Sequence, residues 1–179
     1  MALTALIYSF DVQLSLVDRG VYDSISFKAA QHPSETDEYL MTRVLAYCLE
    51  YREGIAFSRG LAEPDEPAIT VKDLTGAIQV WIEIGNPSAD RLHRASKAAP
   101  RVAIYTTRDA AAFAKQLGDQ RIHKKEALEL HTIDRALVDT LCERLDRRMT
   151  LTLLAQEGHL FITVGDDTVE GSLQSGALA

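Results

Sequence analysis

The sequence predicts an α+β fold, in which a mixed β-sheet is flanked by helices and extended by antiparallel strands near both ends of the chain. The first thirty residues alternate between apolar and polar side chains, as half-buried strands do. Later segments repeat apolar residues every three or four positions, as helices do. With 179 residues, of which 46% are hydrophobic and 25% charged, the chain fits one globular domain over residues 1–179 and not a disordered or collagen-like chain.

The amino-terminal part is predicted to be a hairpin followed by a helix. Residues 6–16 and 22–27 each alternate, and Arg19-Gly20 between them is typical of a turn. Ser34 then precedes a segment with helical spacing, residues 35–52, and is placed to cap that helix.

The middle of the chain is predicted to be an antiparallel meander followed by alternating helices and strands. Apolar runs at 55–57, 68–71 and 77–84 predict three strands, of which the last is central and pairs with the second. Asn86 is placed to cap the next helix. The remaining elements are predicted as helices at 86–99, 108–117 and 134–145, and strands at 102–106, 127–131, 149–154, 160–164 and 169–173.

Charge and cysteine content exclude several classes of protein. The 26 acidic residues outnumber the 19 Lys and Arg residues and give a net charge of -7, which disfavours a protein that coats nucleic acid over its whole surface but allows a local basic patch. Cys48 and Cys142 form neither a disulfide framework nor a zinc motif. Since no signal peptide or transmembrane run is evident, we expect a cytoplasmic monomer or weak dimer without membrane association. No protein partner is indicated.

No short motif identifies the chemistry. The chain has no P-loop, no dinucleotide-binding glycine motif, no H-E-x-x-H and no G-x-S-x-G. The five histidines are scattered, and their spacing is that of loop residues and not of metal ligands.

Glu83 is the most informative residue, because it lies within the apolar run 78–84. A carboxylate in a buried strand needs a positive partner. Asp65 and Glu66 precede the strand that pairs with this one, so two or three carboxylates can come together at neighbouring strand ends. Such a group of carboxylates is what Mg²⁺ or Mn²⁺ requires.

The helix that follows Glu83 carries three basic residues, Arg91, Arg94 and Lys97, at positions i, i+3 and i+6. A helix amino terminus with cations nearby suits a phosphate group. The alternative is that Glu83 pairs with Arg91 or Lys97 in a buried ion pair and that the basic face is only solvated. We expect at least one of the three cations to contact Glu83.

Several segments distributed over essentially the whole chain have a distinctive sequence: His32 to Thr36, Arg59 to Leu61, Asp65 to Pro67, Trp81 to Gly85 and Arg148 to Leu151. These segments resemble the bacterial YaeQ family, and the order of strands, acidic residues and helix resembles the core of PD-(D/E)xK nucleases. The resemblance implies a restriction-endonuclease-like fold, in which Glu35, Glu83 and one of Asp65 or Glu66 are the acidic residues.

The sequence departs from the nuclease pattern at one position. In nucleases of this class the third core strand ends in acid-x-Lys, but the residue two positions after Glu83 is Gly85. The lysine that would polarise the attacking water is therefore absent, and Lys97, Arg94 or Lys72 would have to supply its charge from elsewhere.

Two hypotheses follow. The first is a Mg²⁺- or Mn²⁺-dependent phosphodiesterase that acts on DNA or RNA through a local cleft. The second is a non-catalytic binding or regulatory protein that retains the nuclease-like fold. The first assigns Glu83, Asp65, Glu66 and Lys97 to catalysis, Glu35 with Asp65, Glu66 and Glu83 to the metal, and Arg91 and Arg94 to the phosphate.

Overall fold

The computed structural model describes residues 4–58 and 65–178, and within those ranges it contains ten strands and four helices. The strands are β1 (Leu6–Leu16), β2 (Val21–Gln31), β3 (Ile55–Phe57), β4 (Ile69–Lys72), β5 (Ile78–Ile84), β6 (Arg101–Thr106), β7 (Glu129–Ile133), β8 (Arg148–Gln156), β9 (His159–Val164) and β10 (Asp167–Ala177). The helices are α1 (Asp37–Leu49), α2 (Ala89–Ala98), α3 (Ala110–Leu117) and α4 (Arg135–Glu143).

All ten strands belong to one mixed sheet, in the order β2-β1-β8-β9-β10-β7-β6-β5-β4-β3. The pairs β1–β8, β5–β6 and β6–β7 are parallel, and the other neighbours are antiparallel. The predicted α+β class, with antiparallel strands added at both ends of the chain, is confirmed.

The sheet curves around α1 until its two edge strands nearly meet. The ring of Phe27 on β2 lies 5.8 Å from the ring of Phe57 on β3, and Tyr47 of α1 stacks on Phe57 at 4.5 Å. Because α1 is enclosed, its apolar side chains are removed from water on nearly every side. Those with no exposed surface are Leu40, Met41, Val44, Leu45, Ala46 and Cys48.

Helices α2 and α3 cover the opposite face of the sheet. Leu92 of α2 and Phe113 of α3 are fully buried and pack in one cluster with Trp81 of β5 and Ile104 of β6. Strand β5 is therefore covered on both faces, which explains its unbroken apolar run.

The predicted central strand is confirmed. β5 pairs antiparallel with β4, with Ile82 opposite Ile69, and parallel with β6 on its other side. Gly76, in the turn between β4 and β5, has φ +88°, a conformation that favours glycine. The segment Arg59 to Leu61, which carries part of the family resemblance, lies outside the described residues.

The predicted helix starts are wrong by two or three residues. Thr36 caps α1, because its Oγ1 accepts the N–H of Tyr39 at 3.1 Å, whereas the hydroxyl of Ser34 bonds to Nδ1 of His32. Ser88, not Asn86, caps α2 by accepting the N–H of Arg91. No helix in the part of the chain that the structure describes is long and apolar enough to cross a membrane.

Candidate functional site

Glu83 lies on the face of β5 that α2 covers. Its side chain is 5% exposed, and Oε1 accepts hydrogen bonds from Arg91 Nε at 2.7 Å and from Trp81 Nε1 at 2.6 Å. The expected contact between Glu83 and a cation of the following helix is therefore present, and Arg91 makes it.

The two hydrogen bonds offset part of the cost of removing the charged Glu83 carboxylate from water. Burial has the largest effect and raises the pKa of Glu83, while the hydrogen bonds from Arg91 and Trp81 act in the opposite direction. Arg91 also donates to the backbone carbonyl of Glu66. The Arg91 guanidinium thus connects the buried end of β5 to the segment that leads into β4.

Glu35 forms a second buried ion pair. Its Oε2 lies 3.1 Å from Arg43 Nη2, and the two side chains are 2% and 4% exposed. The same nitrogen of Arg43 donates to the carbonyl of Ala30 on β2, and its guanidinium lies 5.4 Å from the centre of the Phe57 ring. Arg43 therefore holds Glu35 against the sheet.

Tyr39 lies close enough to both ion pairs to be influenced by each. Burial is the main reason that the pKa of Tyr39 is raised. The charges of Arg43 and Arg91 lower this pKa, and those of Glu35 and Glu83 raise it. Tyr39 is therefore a side chain on which the charges of both ion pairs act.

Tyr39 also covers the position of the missing lysine. Gly85 has φ +83°, and a Cβ atom added there would lie 3.6 Å from Cδ2 of the Tyr39 ring. A lysine at position 85 would be strained by the backbone and would meet this ring. The backbone conformation at position 85 and the neighbouring Tyr39 ring thus both disfavour a lysine there.

Asp65 and Arg94 form an exposed ion pair. Asp65 Oδ1 lies 2.7 Å from Arg94 Nη1, with side chains that are 83% and 51% exposed. Arg94 is also 3.6 Å from Asp90 one helical turn earlier. Such a surface pair contributes little to stability.

The candidate acidic side chains form no metal-binding group in the described parts of the chain, and the Mg²⁺ or Mn²⁺ ion expected from the sequence stays a prediction. Among residues 4–58 and 65–178, no group of three or more His, Cys, Asp or Glu side chains is arranged to hold a metal ion. The physical reason is that arginine already binds the buried carboxylates of Glu35 and Glu83, while the carboxylate of Asp65 lies at the surface with Arg94. These residues do not fit a Mg²⁺ or Mn²⁺ ion, which needs several oxygen ligands at one point.

A cleft of about 320 Å³ opens beside Tyr39, at the carboxyl ends of β5 and β6. In α/β sheets ligands bind at such strand ends. The cleft is lined by Thr36, Glu38, Tyr39, Thr42, Ile84, Gly85, Asn86, Thr106, Thr107, Arg108 and Arg135. Its one carboxylate, Glu38, accepts a hydrogen bond from Thr107 and lies 3.6 Å from Arg135.

Lys97 does not line this cleft. It lies in a separate pocket of about 540 Å³, with His93 of the same helix and residues 121–124 of the loop before β7. The sequence did not indicate this pocket, because the loop has no periodicity that would place it against α2. Its only signal was the local run of basic residues in 121–125.

A third polar cluster, which was not predicted from the sequence, lies at the carboxyl end of α1. Glu50, at the end of α1, is 2% exposed and receives hydrogen bonds from both Nη atoms of Arg101, from Arg52 and from the hydroxyl of Tyr105. Burial alone would raise the pKa of Glu50, but these bonds, above all from Arg101, hold it below its usual range. Arg101 also pairs with Glu129 of β7, so the cluster ties α1 to β6 and β7.

Comparisons with known proteins cover nearly the whole chain. The family model described as YaeQ protein matches residues 1–173. A protein of Escherichia coli (strain K12) named "Uncharacterized protein YaeQ" is 32% identical over 174 residues, which are 97% of this chain and 96% of that protein. A protein of Salmonella typhi with the same name is 33% identical and covers 95% of this chain and 94% of its own length.

Solved structures share the fold. The crystal structure of YaeQ protein from Pseudomonas syringae is 30% identical, with a TM-score of 0.85 and coverage of 98% of both chains. The YaeQ structure from Xanthomonas axonopodis pv. citri is 29% identical, with a TM-score of 0.84 over 96% of this chain and 98% of that chain. The sheet that nearly closes around α1 is therefore common to these proteins.

Proposed function

This chain belongs to the YaeQ family, and from its fold and its charged groups we propose that it binds nucleic acid without cutting it. The binding site is the cleft between the amino terminus of α1 and the carboxyl ends of β5 and β6. One observation carries the proposal: the Glu83 carboxylate, which a metal-dependent nuclease of this design would use, accepts hydrogen bonds from Arg91 and Trp81.

The order of the central elements supports a nuclease-like ancestry. A helix, an antiparallel meander, a second helix and a strand parallel to the last meander strand follow each other as α1, β3 to β5, α2 and β6. This is the order that the resemblance to PD-(D/E)xK nucleases implies. We therefore propose a restriction-endonuclease-like core, to which β1, β2 and β7 to β10 have been added.

The ion pairs support binding over catalysis. A metal ion at Glu83 would have to displace Arg91 and leave its guanidinium beside a divalent cation, which is unfavourable in a part-buried site. The same holds at Glu35, where Arg43 is buried. The acidic residues of a hydrolytic centre are therefore paired with arginine. The lysine of such a centre is replaced by Gly85.

The cleft itself offers what a phosphate group needs. The amino terminus of α1, a helix of 13 residues capped by Thr36, lies in its wall. Helix amino termini attract anions through their free N–H groups and their dipole. Arg108 and Arg135 are exposed at the same cleft and can form charge-assisted bonds to phosphate oxygens.

Binding is tested by the fluorescence anisotropy of labelled single-stranded DNA and RNA oligonucleotides. We expect Arg108→Gln combined with Arg135→Gln to weaken binding about tenfold, as loss of two phosphate contacts should. Arg148→Gln is the matched control, because this exposed arginine at the start of β8 does not line the cleft. Equal affinity of the wild type and the double variant would overturn the proposal.

Metal-dependent hydrolysis is the second candidate, and it is favoured by the presence of Glu83 at the end of the third meander strand. We expect no cleavage of labelled DNA or RNA by the wild type with Mn²⁺ or Mg²⁺ above the level of Glu83→Gln. Cleavage by the wild type that Glu83→Gln abolishes, in protein whose thermal unfolding shows a folded state, would replace binding by catalysis as the function.

A further inference from the structure

Among the described residues, the pocket between α2 and the loop before β7 is lined by basic side chains and by no acidic one. We call it the basic pocket, and it is lined by His93, Lys97, Arg121, Ile122, His123 and Lys124 around about 540 Å³. The whole chain carries a net charge of -7. A basic pocket on such an acidic protein is a local exception that a bound anion would explain.

The cations of the basic pocket form no ion pair within the part of the chain that the structure describes. Lys97, Arg121 and Lys124 take part in none of the ion pairs among residues 4–58 and 65–178. In contrast, Arg91 and Arg94 on the same helix α2 pair with Glu83 and Asp65. The charge left over on this side of α2 is therefore concentrated at the pocket.

His93 adds a directional hydrogen-bond donor to these charges. Nδ1 of His93 accepts the backbone N–H of His123 at 3.0 Å. The neutral ring of His93 therefore carries its proton on Nε2, which is a hydrogen-bond donor. The two rings lie edge to face with their centres 6.3 Å apart. The loop and α2 are thus fixed against each other at the pocket.

From this geometry we infer that the basic pocket binds a terminal phosphate, the phosphomonoester at the end of a nucleic acid strand. The inference rests on the proposed function and names the part of the ligand that this pocket takes. A phosphomonoester carries between one and two negative charges near pH 7, whereas a diester within the strand carries one. Three unpaired cations in a concave pocket suit the higher charge of a terminal phosphate better than the single charge of a diester in a strand that passes over the surface.

The test compares one oligonucleotide sequence with a 5′-phosphate, a 3′-phosphate or two hydroxyl ends. We expect the wild type to bind one phosphorylated form at least fivefold more tightly than the hydroxyl form. Lys97→Gln and Arg121→Gln should abolish this preference and change the affinity for the hydroxyl form by less than twofold. Lys28→Gln is the matched control, because Lys28 lies on β2 and does not line the pocket.

Lys124→Gly gives a variant with little risk of misfolding. Lys124 has φ +49°, a conformation in which glycine is less strained than lysine, so this variant removes the charge while it relieves the backbone. It should also lose the preference for a phosphorylated end. Equal binding of all three oligonucleotides by the wild type would overturn the inference.

A mononucleotide separates this inference from the proposed function. Calorimetric titration with thymidine 5′-monophosphate, and with thymidine as control, measures the pocket alone. If the monophosphate binds, Lys97→Gln abolishes its binding and no oligonucleotide binds, the proposed function fails and the pocket stands as a phosphomonoester site. If neither the monophosphate nor any phosphorylated end is preferred, the pocket inference fails whatever the affinity for nucleic acid.

Discussion

Three buried carboxylates of this protein, Glu35, Glu50 and Glu83, are each bound by an arginine. Breaking such a pair by removal of one partner is costly, because the other charge stays buried without compensation. The arginines therefore decide both the stability of these sites and their chemistry, since a carboxylate that arginine holds is not offered to a metal ion.

Arg91→Met should lower the free energy of unfolding by about 3 kcal/mol at pH 7, because it leaves Glu83 with Trp81 as its remaining donor of the two described. The double variant with Glu83→Gln should recover at least half of this loss. Arg94→Met, on the same helix, should cost less than about 0.5 kcal/mol, since its pair with Asp65 is exposed. Urea denaturation gives all three values.

The pH dependence of the Arg91→Met variant has a definite sign. Burial raises the pKa of Glu83 and Arg91 opposes that effect, so loss of Arg91 lets the folded pKa rise further. A carboxyl group whose folded pKa lies above its unfolded value binds its proton preferentially in the folded state. The loss of stability should therefore shrink as the pH falls from 7 to 5, and a constant loss would contradict this explanation.

The contribution of Glu50 to stability depends on pH with the opposite sign to that of Glu83. Its pKa is held below the usual range, so its contribution to stability is present above the unfolded pKa of about 4.3 and is lost as the pH falls through the lower folded pKa. Glu50→Gln should therefore cost about 3 kcal/mol at pH 7, and the cost should fall as the pH is lowered towards 3. Urea midpoints at both pH values check this, with the exposed Glu126→Gln as control. An equal cost at both values would exclude the charge as the cause.

The residue-scale site could be predicted in part from the sequence. The requirement of Glu83 for a positive partner follows from its place in an apolar strand, and Arg91 was among the expected partners. The choice between arginine and a metal ion did not follow, because it depends on how far a long side chain reaches once α2 is packed on β5. The pair Glu35–Arg43 likewise depends on how α1 enters the curved sheet.

At the scale of elements, strands were easier to predict than helix ends. Both the meander and the terminal strands have apolar patterns that only extended chains satisfy, and the structure places them within a few residues of the prediction. A helix end depends on which of several nearby hydroxyl groups meets a free N–H. Ser34 and Thr36 both precede α1, and Thr36 is the one whose side chain reaches Tyr39 N–H.

The two candidate caps of α1 can be distinguished by mutation. Thr36→Ala should lower the free energy of unfolding by about 1 kcal/mol, because the N–H of Tyr39 loses its acceptor. Ser34→Ala is the matched control and should cost less than half as much, since its hydroxyl bonds only to the exposed His32. Chemical denaturation measures both. A larger effect of Ser34→Ala would mean that the helix starts earlier than the structure describes.

At the scale of the whole molecule, α1 is the axis around which the sheet closes. Its amino terminus lies in the wall of the cleft, and its carboxyl terminus carries the Glu50 cluster at the opposite end. The sequence did not reveal this closure, because β1 and β8 pair in parallel with Ser9 beside Arg148, far apart in the chain. Local patterns identify both strands but contain no information on which strands become neighbours.

The salt dependence of the affinity for nucleic acid depends on the charge of the whole molecule, which is -7. An acidic protein can hold nucleic acid only through a few local phosphate contacts, and each contact on a single strand releases about 0.7 counterions. For an oligonucleotide with a phosphorylated end, a plot of log affinity against log salt should therefore be about 1.4 units less steep for the Lys97→Gln/Arg121→Gln double variant than for the wild type. The Lys28→Gln control should leave the slope unchanged.

An unchanged slope combined with a weaker affinity in the double variant would mean that these side chains do not meet phosphate groups. A slope that falls equally in Lys28→Gln would mean that the overall charge, and not the basic pocket, governs binding. Because both variants are compared at the same oligonucleotide concentration and pH, the difference in slope isolates the contacts in the pocket from the background repulsion between an acidic protein and a polyanion.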